Sequence, residues 1–144
     1  MTPTGAQTTD YPHVDLTGKI IKCCMEAHNF LGPGLPEITY HKAVLKEMAW
    51  AGGPFQSERE VAVRYKDGEA LGVFRPDVIA ASKVIVEFKA LAGLTDDHIS
   101  QVLTYLKITN LQIGLLINFG EQKLAMRRLI NKHFDPTLPA NLTP

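Results

Sequence analysis

The chain has no net charge: 15 lysines and arginines balance 15 aspartates and glutamates over 144 residues. That weighs against a protein that coats nucleic acid by bulk electrostatics, though not against an enzyme whose acidic site offsets a basic face. Cysteine is scarce. The two present, Cys23 and Cys24, are neighbours that cannot close an ordinary disulfide, and no Cys or His spacing suggests zinc. They read as small buried hydrophobes in a reducing compartment. No apolar run approaches the ~20 residues of a membrane span. Met1 to Pro12 lacks the apolar segment of a secretory signal, so a cytoplasmic protein is expected. There is no internal repeat and no domain boundary. Hydrophobic content of 45% and charged content of 21% are ordinary globular values, so one domain with a packed core is expected.

The pattern along the chain is α/β. Residues 1–14 and 133–144 are rich in proline and small polar residues and read as flexible ends around a domain at 15–132. Ile20, Ile21, Cys24, Ala27, His28 and Leu31 recur at helical spacing, which predicts a first helix from about Leu16 to Phe30, stopped by Gly32-Pro33-Gly34. Pro36 suits the first turn of a second helix ending near Gly52-Gly53. Ser57 to Tyr65 alternates charged and apolar residues as one strand, with Glu58 and Glu60 on one face that is solvated unless one of them reaches a metal. Lys66-Asp67-Gly68-Glu69 then reads as a hairpin turn. Strands follow at about Ala70 to Phe74, Asp77 to Ala81 and Lys83 to Lys89. Thr95 can cap a third helix with an apolar face of Ile99, Val102, Leu103 and Leu106. Gln112 to Phe119 is an apolar strand, and Leu124 to Ile130 a last edge element. Helices packed on a mixed sheet are the expected architecture.

Chemistry concentrates in one stretch: Arg75-Pro76-Asp77, a mostly apolar run, then Glu87-Phe88-Lys89. Val84-Ile85-Val86 has the β-branched composition of a buried strand, and charges at the end of such a strand are costly unless paired or bound to a cation. Glu87 and Lys89 are two apart, so both point to one face and Phe88 to the other. Two acids meeting across adjacent strands beside a lysine suit a hard divalent cation and an activated water.

The same residues sit within a longer pattern. Gly34-Leu-Pro-Glu37-Ile-Thr-Tyr40 follows Ala27-His28 and Leu31-Gly-Pro-Gly34. It precedes Pro76-Asp77, Val84-Ile-Val-Glu87-Phe-Lys89-Ala90, Gln101-Val-Leu-Thr-Tyr105-Leu106 and Gly114-Leu-Leu-Ile-Asn118-Phe119. Over about Leu16 to Ile130 the chain resembles the GxxExxY proteins of the PD-(D/E)XK nuclease superfamily. It departs little from their pattern, Pro36 standing where many members carry an aliphatic residue. The resemblance implies a restriction-endonuclease-like core: a central mixed β-sheet flanked by α-helices, with a metal site at one end.

It also implies roles, residue by residue. Asp77 and Glu87 become carboxylate ligands to magnesium or manganese, joined by the Phe88 carbonyl. Glu37 becomes a third ligand or the holder of a water, although a carboxylate in a helix's first turn is also favoured by the dipole alone. Lys89 orients the water or offsets phosphate charge; the bland alternative is a strand-end lysine paired with Glu87. Gln101 and Tyr105, four apart on the third helix, lean over the site, Tyr105 being equally explained by packing. His28 and Tyr40 stand one tier below, each with a core-packing alternative. His41 and His98 read as exposed helix residues. The activity implied is nuclease cleavage of nucleic acid, DNA more than RNA, by a metal-activated water, with a homodimer suited to a long duplex. Basic residues that could meet phosphates (Lys42, Lys46, Arg64, Arg75, Lys107) look scattered. The alternatives are a non-catalytic nucleic-acid- or protein-binding module that keeps the fold, and an enzyme for a smaller phosphate ester.

Overall fold

The computed structural model describes residues 12–144, so most of the expected flexible N-terminal segment lies outside the described residues. Among the described residues, three helices, α1 (Val14–Leu31), α2 (Glu37–Ala51) and α3 (Asp96–Thr109), accompany seven strands. The strands are β1 (Phe55–Ser57), β2 (Val61–Arg64), β3 (Ala70–Phe74), β4 (Val78–Ala80), β5 (Val84–Lys89), β6 (Ile113–Asn118) and β7 (Ala125–Ile130). Five of them form one mixed sheet in the order β1-β4-β5-β6-β7, while β2 and β3 form a separate hairpin. Only β5 and β6 are parallel, and α3 makes the crossover between them.

Strand alternation divides the core into two layers. Val84, Val86 and Phe88 of β5, with Ile113, Leu115 and Ile117 of β6, pack under α1 and α2 against Ile20, Cys24, Tyr40, Val44 and Met48. Cys23 and Cys24 are buried and free, as small hydrophobes. The opposite face carries Ile79, Ile85 and Leu116 under Val102 and Leu106 of α3. Gly114 lets that helix approach: a Cβ there would sit 2.7 Å from Val102 Cγ1. Leu103, expected on the apolar face of α3, is exposed, and on the other flank of the helix the half-buried Tyr105 stacks on Phe74 at 4.3 Å.

Three expectations fail for local reasons. The single strand from Ser57 to Tyr65 is two strands in different sheets. Glu58 adopts φ 53°, which breaks extended backbone, and its N–H donates to the Asp77 carbonyl at 3.1 Å. Glu58 and Glu60 therefore share no strand face, and Glu60 pairs with Arg75 instead. The tail 133–144 is docked rather than loose: Leu142 is buried with Val61 and Leu106. The Asn141 N–H donates to the Thr109 carbonyl at 2.8 Å, and the Ala62 N–H to Thr143 at 2.9 Å. Polar composition does not reveal one well-placed leucine. Pro36, finally, is the N-cap of α2 rather than part of its first turn.

Candidate metal-dependent nuclease site

The charged residues gather where β4 and β5 meet. Val78 pairs with Val86, so the antiparallel register carries Asp77 opposite Glu87. Each acid is clamped by the other's strand: the Asp77 N–H donates to Glu87 Oε2 at 2.6 Å, and the Phe88 N–H to Asp77 Oδ2 at 2.8 Å. The remaining oxygens, Asp77 Oδ1 and Glu87 Oε1, accept no hydrogen bond among the described residues. Both acids are left with open coordination capacity.

Electrostatics reflects the crowding. Burial, and then the Asp77 charge, push the Glu87 carboxyl up to about 8. Desolvation raises Asp77 as well, against the Phe88 N–H, His41 and Lys89, which lower it. Glu37, at the start of α2, is largely open to solvent, yet desolvation of its carboxyl and the Asp77 charge raise its pKa too. Lys89 lowers all three acids, so its charge reaches each of them. It forms no ion pair among the described residues, which removes the simple Glu87–Lys89 bridge as its explanation. On the α3 side, desolvation and the charges of Glu87 and Asp77 raise the Tyr105 hydroxyl. Glu37, Asp77, Glu87, Lys89 and Tyr105 therefore share one electrostatic site. Gln101 lies exposed one turn before Tyr105, and its side chain makes no hydrogen bond among the described residues.

His28 and Tyr40 do not join the cluster. His28 is buried, its Nε2 3.0 Å from the Glu121 carbonyl. Tyr40 stacks on Phe119 at 4.7 Å, and its hydroxyl donates to the Gly32 carbonyl and accepts from the Leu35 N–H at 3.2 Å. It is a clasp on the loop that feeds Glu37 into place. In that loop Gly32 and Gly34 take φ 72° and 103°, conformations that side chains resist.

His41 is the residue that sequence reasoning misplaced. It is buried, not exposed: its ring meets Phe88 edge-on at 5.2 Å, and Nε2 lies 3.2 Å from Ser57 Oγ. Its Nδ1 lies 3.9 Å from Asp77 Oδ1, ion-pair range rather than a hydrogen bond. The available signal was its position one turn after Glu37, on the same helix face. His98 serves the helix that carries it, since its Nδ1 accepts the Thr95 N–H at 3.0 Å in the capping box of α3. Asn118 stands in the sequence pattern with no role assigned. Its Oδ1 accepts the Leu91 N–H and its Nδ2 donates to the Leu91 carbonyl, both at 2.9 Å, which pins the loop just after Lys89.

The donors of the acid pair decide which cation it suits. Among the described residues, no three His, Cys, Asp or Glu side chains form a closed metal cage. Two oxygen-donor acids with one free oxygen each instead suit a hard cation that retains several waters, as magnesium does.

A mixed sheet flanked by helices, with this acid pair and lysine at one end, has the restriction-endonuclease-like architecture. The chain belongs to the PD-(D/E)XK nuclease superfamily, whose family model matches residues 14–129. Members are typically phosphodiesterases and generally use divalent metal ions. No curated protein and no solved structure matches the chain. No helix among the described residues is long and apolar enough to cross a membrane.

Proposed function

We infer that this chain, as a protein of the GxxExxY type, is a magnesium- or manganese-dependent nuclease that hydrolyses phosphodiester bonds, in DNA rather than RNA. The observation that carries the reading is the buried Asp77–Glu87 pair, each acid fixed by a backbone N–H and keeping one oxygen free. Asp77, Glu87 and the Phe88 carbonyl would hold the cation. When bound, it supplies charge neutralisation for the scissile phosphate and a more acidic water. Lys89, without an ion-pair partner among the described residues, offsets negative charge growing on the phosphate oxygens. Glu37, solvent-facing and with a raised pKa, orients the attacking water and accepts its proton. Tyr105 and Gln101 border the substrate side on α3. Hydrolysis proceeds without a covalent intermediate, and a homodimer presents two such sites to a long duplex.

The second reading, a non-catalytic nucleic-acid-binding module, draws on the absence of a three-residue metal cage among the described residues. Calorimetric titration of magnesium and manganese into wild type and Asp77→Ala separates the two, followed by digestion of labelled single- and double-stranded DNA and of RNA. Metal binding and DNA cleavage that both vanish in the variant are expected. A wild type that binds neither ion overturns the catalytic reading.

A further inference from the structure

Beyond the acid site, the molecule has a second concentration of charge, of the opposite sign. Residues 98–134 carry Lys107, Lys123, Arg127, Arg128 and Lys132 against a single acid, Glu121. The remaining ten basic and fourteen acidic residues leave the rest of the chain net negative, so overall neutrality conceals a polarised molecule. The fold brings much of this basic segment to one place. Between α3 and the edge strand β7 lies an open cavity of about 630 Å³ lined by Leu103, Thr104, Lys107, Arg127, Lys132 and His133, among others, with no acidic residue in its lining. Lys107, Arg127 and Lys132 are exposed, and their side chains make no hydrogen bond or ion pair among the described residues. The residues that looked scattered in sequence mislead in both directions: Arg75 is paired with Glu60 and Arg64 holds the Pro144 carbonyl, whereas Lys107 joins two cations from the far end of the chain.

Sheet register ties this groove to the acid pair. Glu87 pairs with Leu116 across β5 and β6, and Leu116 pairs with Arg127 across β6 and β7. Residues paired across a sheet project from the same face, so Arg127 stands on the rung of Glu87, two strands away. With strands about 4.8 Å apart, their backbones are roughly 10 Å apart. The face is the one α3 crosses, with Tyr105 on the flank towards the acids and Leu103 and Lys107 towards the groove.

We propose that the groove between α3 and β7 binds the phosphate backbone of the nucleic-acid substrate, on the far side of α3 from the cleavage site. The inference rests on the nuclease reading for its substrate, but the charge pattern gives it an independent test. The carboxyls of Asp77 and Glu87 offer a polyanion no attraction until a cation is present, so a site that holds DNA must draw most of its electrostatic attraction from elsewhere. Three unpaired cations in an acid-free groove supply it, and such contacts position a strand without reading its sequence.

The test is binding of a fluorescent 20-nucleotide DNA, single- and double-stranded, in EDTA over a series of salt concentrations. It compares wild type with the triple variant Lys107→Gln/Arg127→Gln/Lys132→Gln and with the charge-preserving Lys107→Arg/Arg127→Lys/Lys132→Arg. The glutamine variant is expected to bind about 10–100-fold more weakly at low salt, with the slope of log affinity against log salt shallower by about 2–3. The charge-preserving variant is expected to match wild type, which assigns the loss to charge rather than to side-chain shape. Unchanged affinity and slope in the glutamine variant overturn the proposal, as does binding of polyglutamate as tight as that of DNA, which would mark a site for acidic protein. Magnesium-dependent hydrolysis of bis(p-nitrophenyl) phosphate, too small to reach the groove, is expected to be the same in all three proteins. Its absence from all three, with the slope change intact, would sink the catalytic reading and leave the groove standing.

Discussion

On one face of β5, Val84, Val86 and Phe88 are fully buried beneath α1 and α2, in a layer that continues through Tyr40 and Phe119. On the other face Glu87 is almost as buried, yet has no cation within ion-pair distance among the described residues. The same six-residue strand thus places an apolar seal and a desolvated carboxyl back to back. The closed face supplies apolar burial at roughly 25 cal/mol per Å², and that stability lets the open face hold acids at raised pKa. Folding and chemistry are separated by the strand's two-residue period. Substitutions on either side can test the separation.

The largest loss of stability should come from the closed face. Phe119 lies between Tyr40, stacked at 4.7 Å, and Phe88, edge-on at 5.8 Å. Phe119→Ala removes both contacts and leaves a cavity, so unfolding in urea should show a loss of about 3–5 kcal/mol. A loss below ~1 kcal/mol would show that the aromatic layer is not the store of stability the comparison requires.

The open face should respond to pH instead. The folded Glu87 carboxyl keeps its proton to about pH 8, while the unfolded one releases it near its ordinary value of 4.5. Between these values the folded state binds more protons, so metal-free stability should fall as pH rises. The slope approaches 1.4 kcal/mol per pH unit, or about 2–3 kcal/mol from pH 5 to pH 7. Asp77 and Glu37, also raised, act in the same direction. Denaturation curves of Glu87→Gln in EDTA should be flatter over this window and more stable at its upper end. A variant with the wild-type slope would place the titrating group elsewhere.

A third effect joins the two faces. A Cβ at Gly120 would lie 2.2 Å from the Leu91 carbonyl oxygen and 2.4 Å from its nitrogen, backbone atoms that cannot swing aside. Gly120→Ala should therefore displace the loop after Lys89, costing about 1–3 kcal/mol in thermal unfolding and lowering cleavage with it. Full activity at reduced stability would mean that the loop does not set the position of Lys89.

Much of this arrangement was legible because periodicity reports burial. The apolar run from Val84, the helix faces at Ile20 and Val44, and the edge element ending at Ile130 all fall where their spacing placed them. Asp77 and Glu87 were visible as charges at the ends of buried strands. What could not be read depends on long-range contact. His41 looks like any polar helix residue until β1 brings Ser57 and β4 brings Asp77 against it. Glu58 continues an alternating pattern that only its left-handed backbone interrupts. The docked tail depends on Leu142 reaching Val61, 81 positions earlier in the chain. Spacing reveals which side of an element is buried, but not which partner buries it.

His41 gives the sharpest small perturbation at the boundary of the faces, since its ring rests on Phe88 of the closed layer while Nδ1 faces Asp77 of the open one. A buried partner that orients a ligand carboxylate typically supports metal affinity by 10–100-fold, and the 3.9 Å separation here favours the low end. His41→Ala should weaken magnesium binding by about tenfold in calorimetry, with cleavage recovering at high magnesium. No change in affinity would reduce His41 to packing alone.

The smallest expected effect concerns the helix that roofs the open face. The Thr95 N–H donates to His98 Nδ1 at 3.0 Å, and Thr95 Oγ1 lies 3.2 Å from the same nitrogen, which closes the first turn of α3. This turn sets the direction of the helix that carries Tyr105 towards the acids and Lys107 towards the basic groove. Thr95→Ala should cost about 1 kcal/mol in chemical denaturation. The helix remains anchored further along by Val102 and Leu106, packed against Gly114. Magnesium affinity should therefore be unchanged, because Asp77 and Glu87, the ligands in the proposed function, sit on the sheet and not on α3. A cap variant that lost metal binding would show that the open face is organised by its helical roof rather than by the paired strands beneath it.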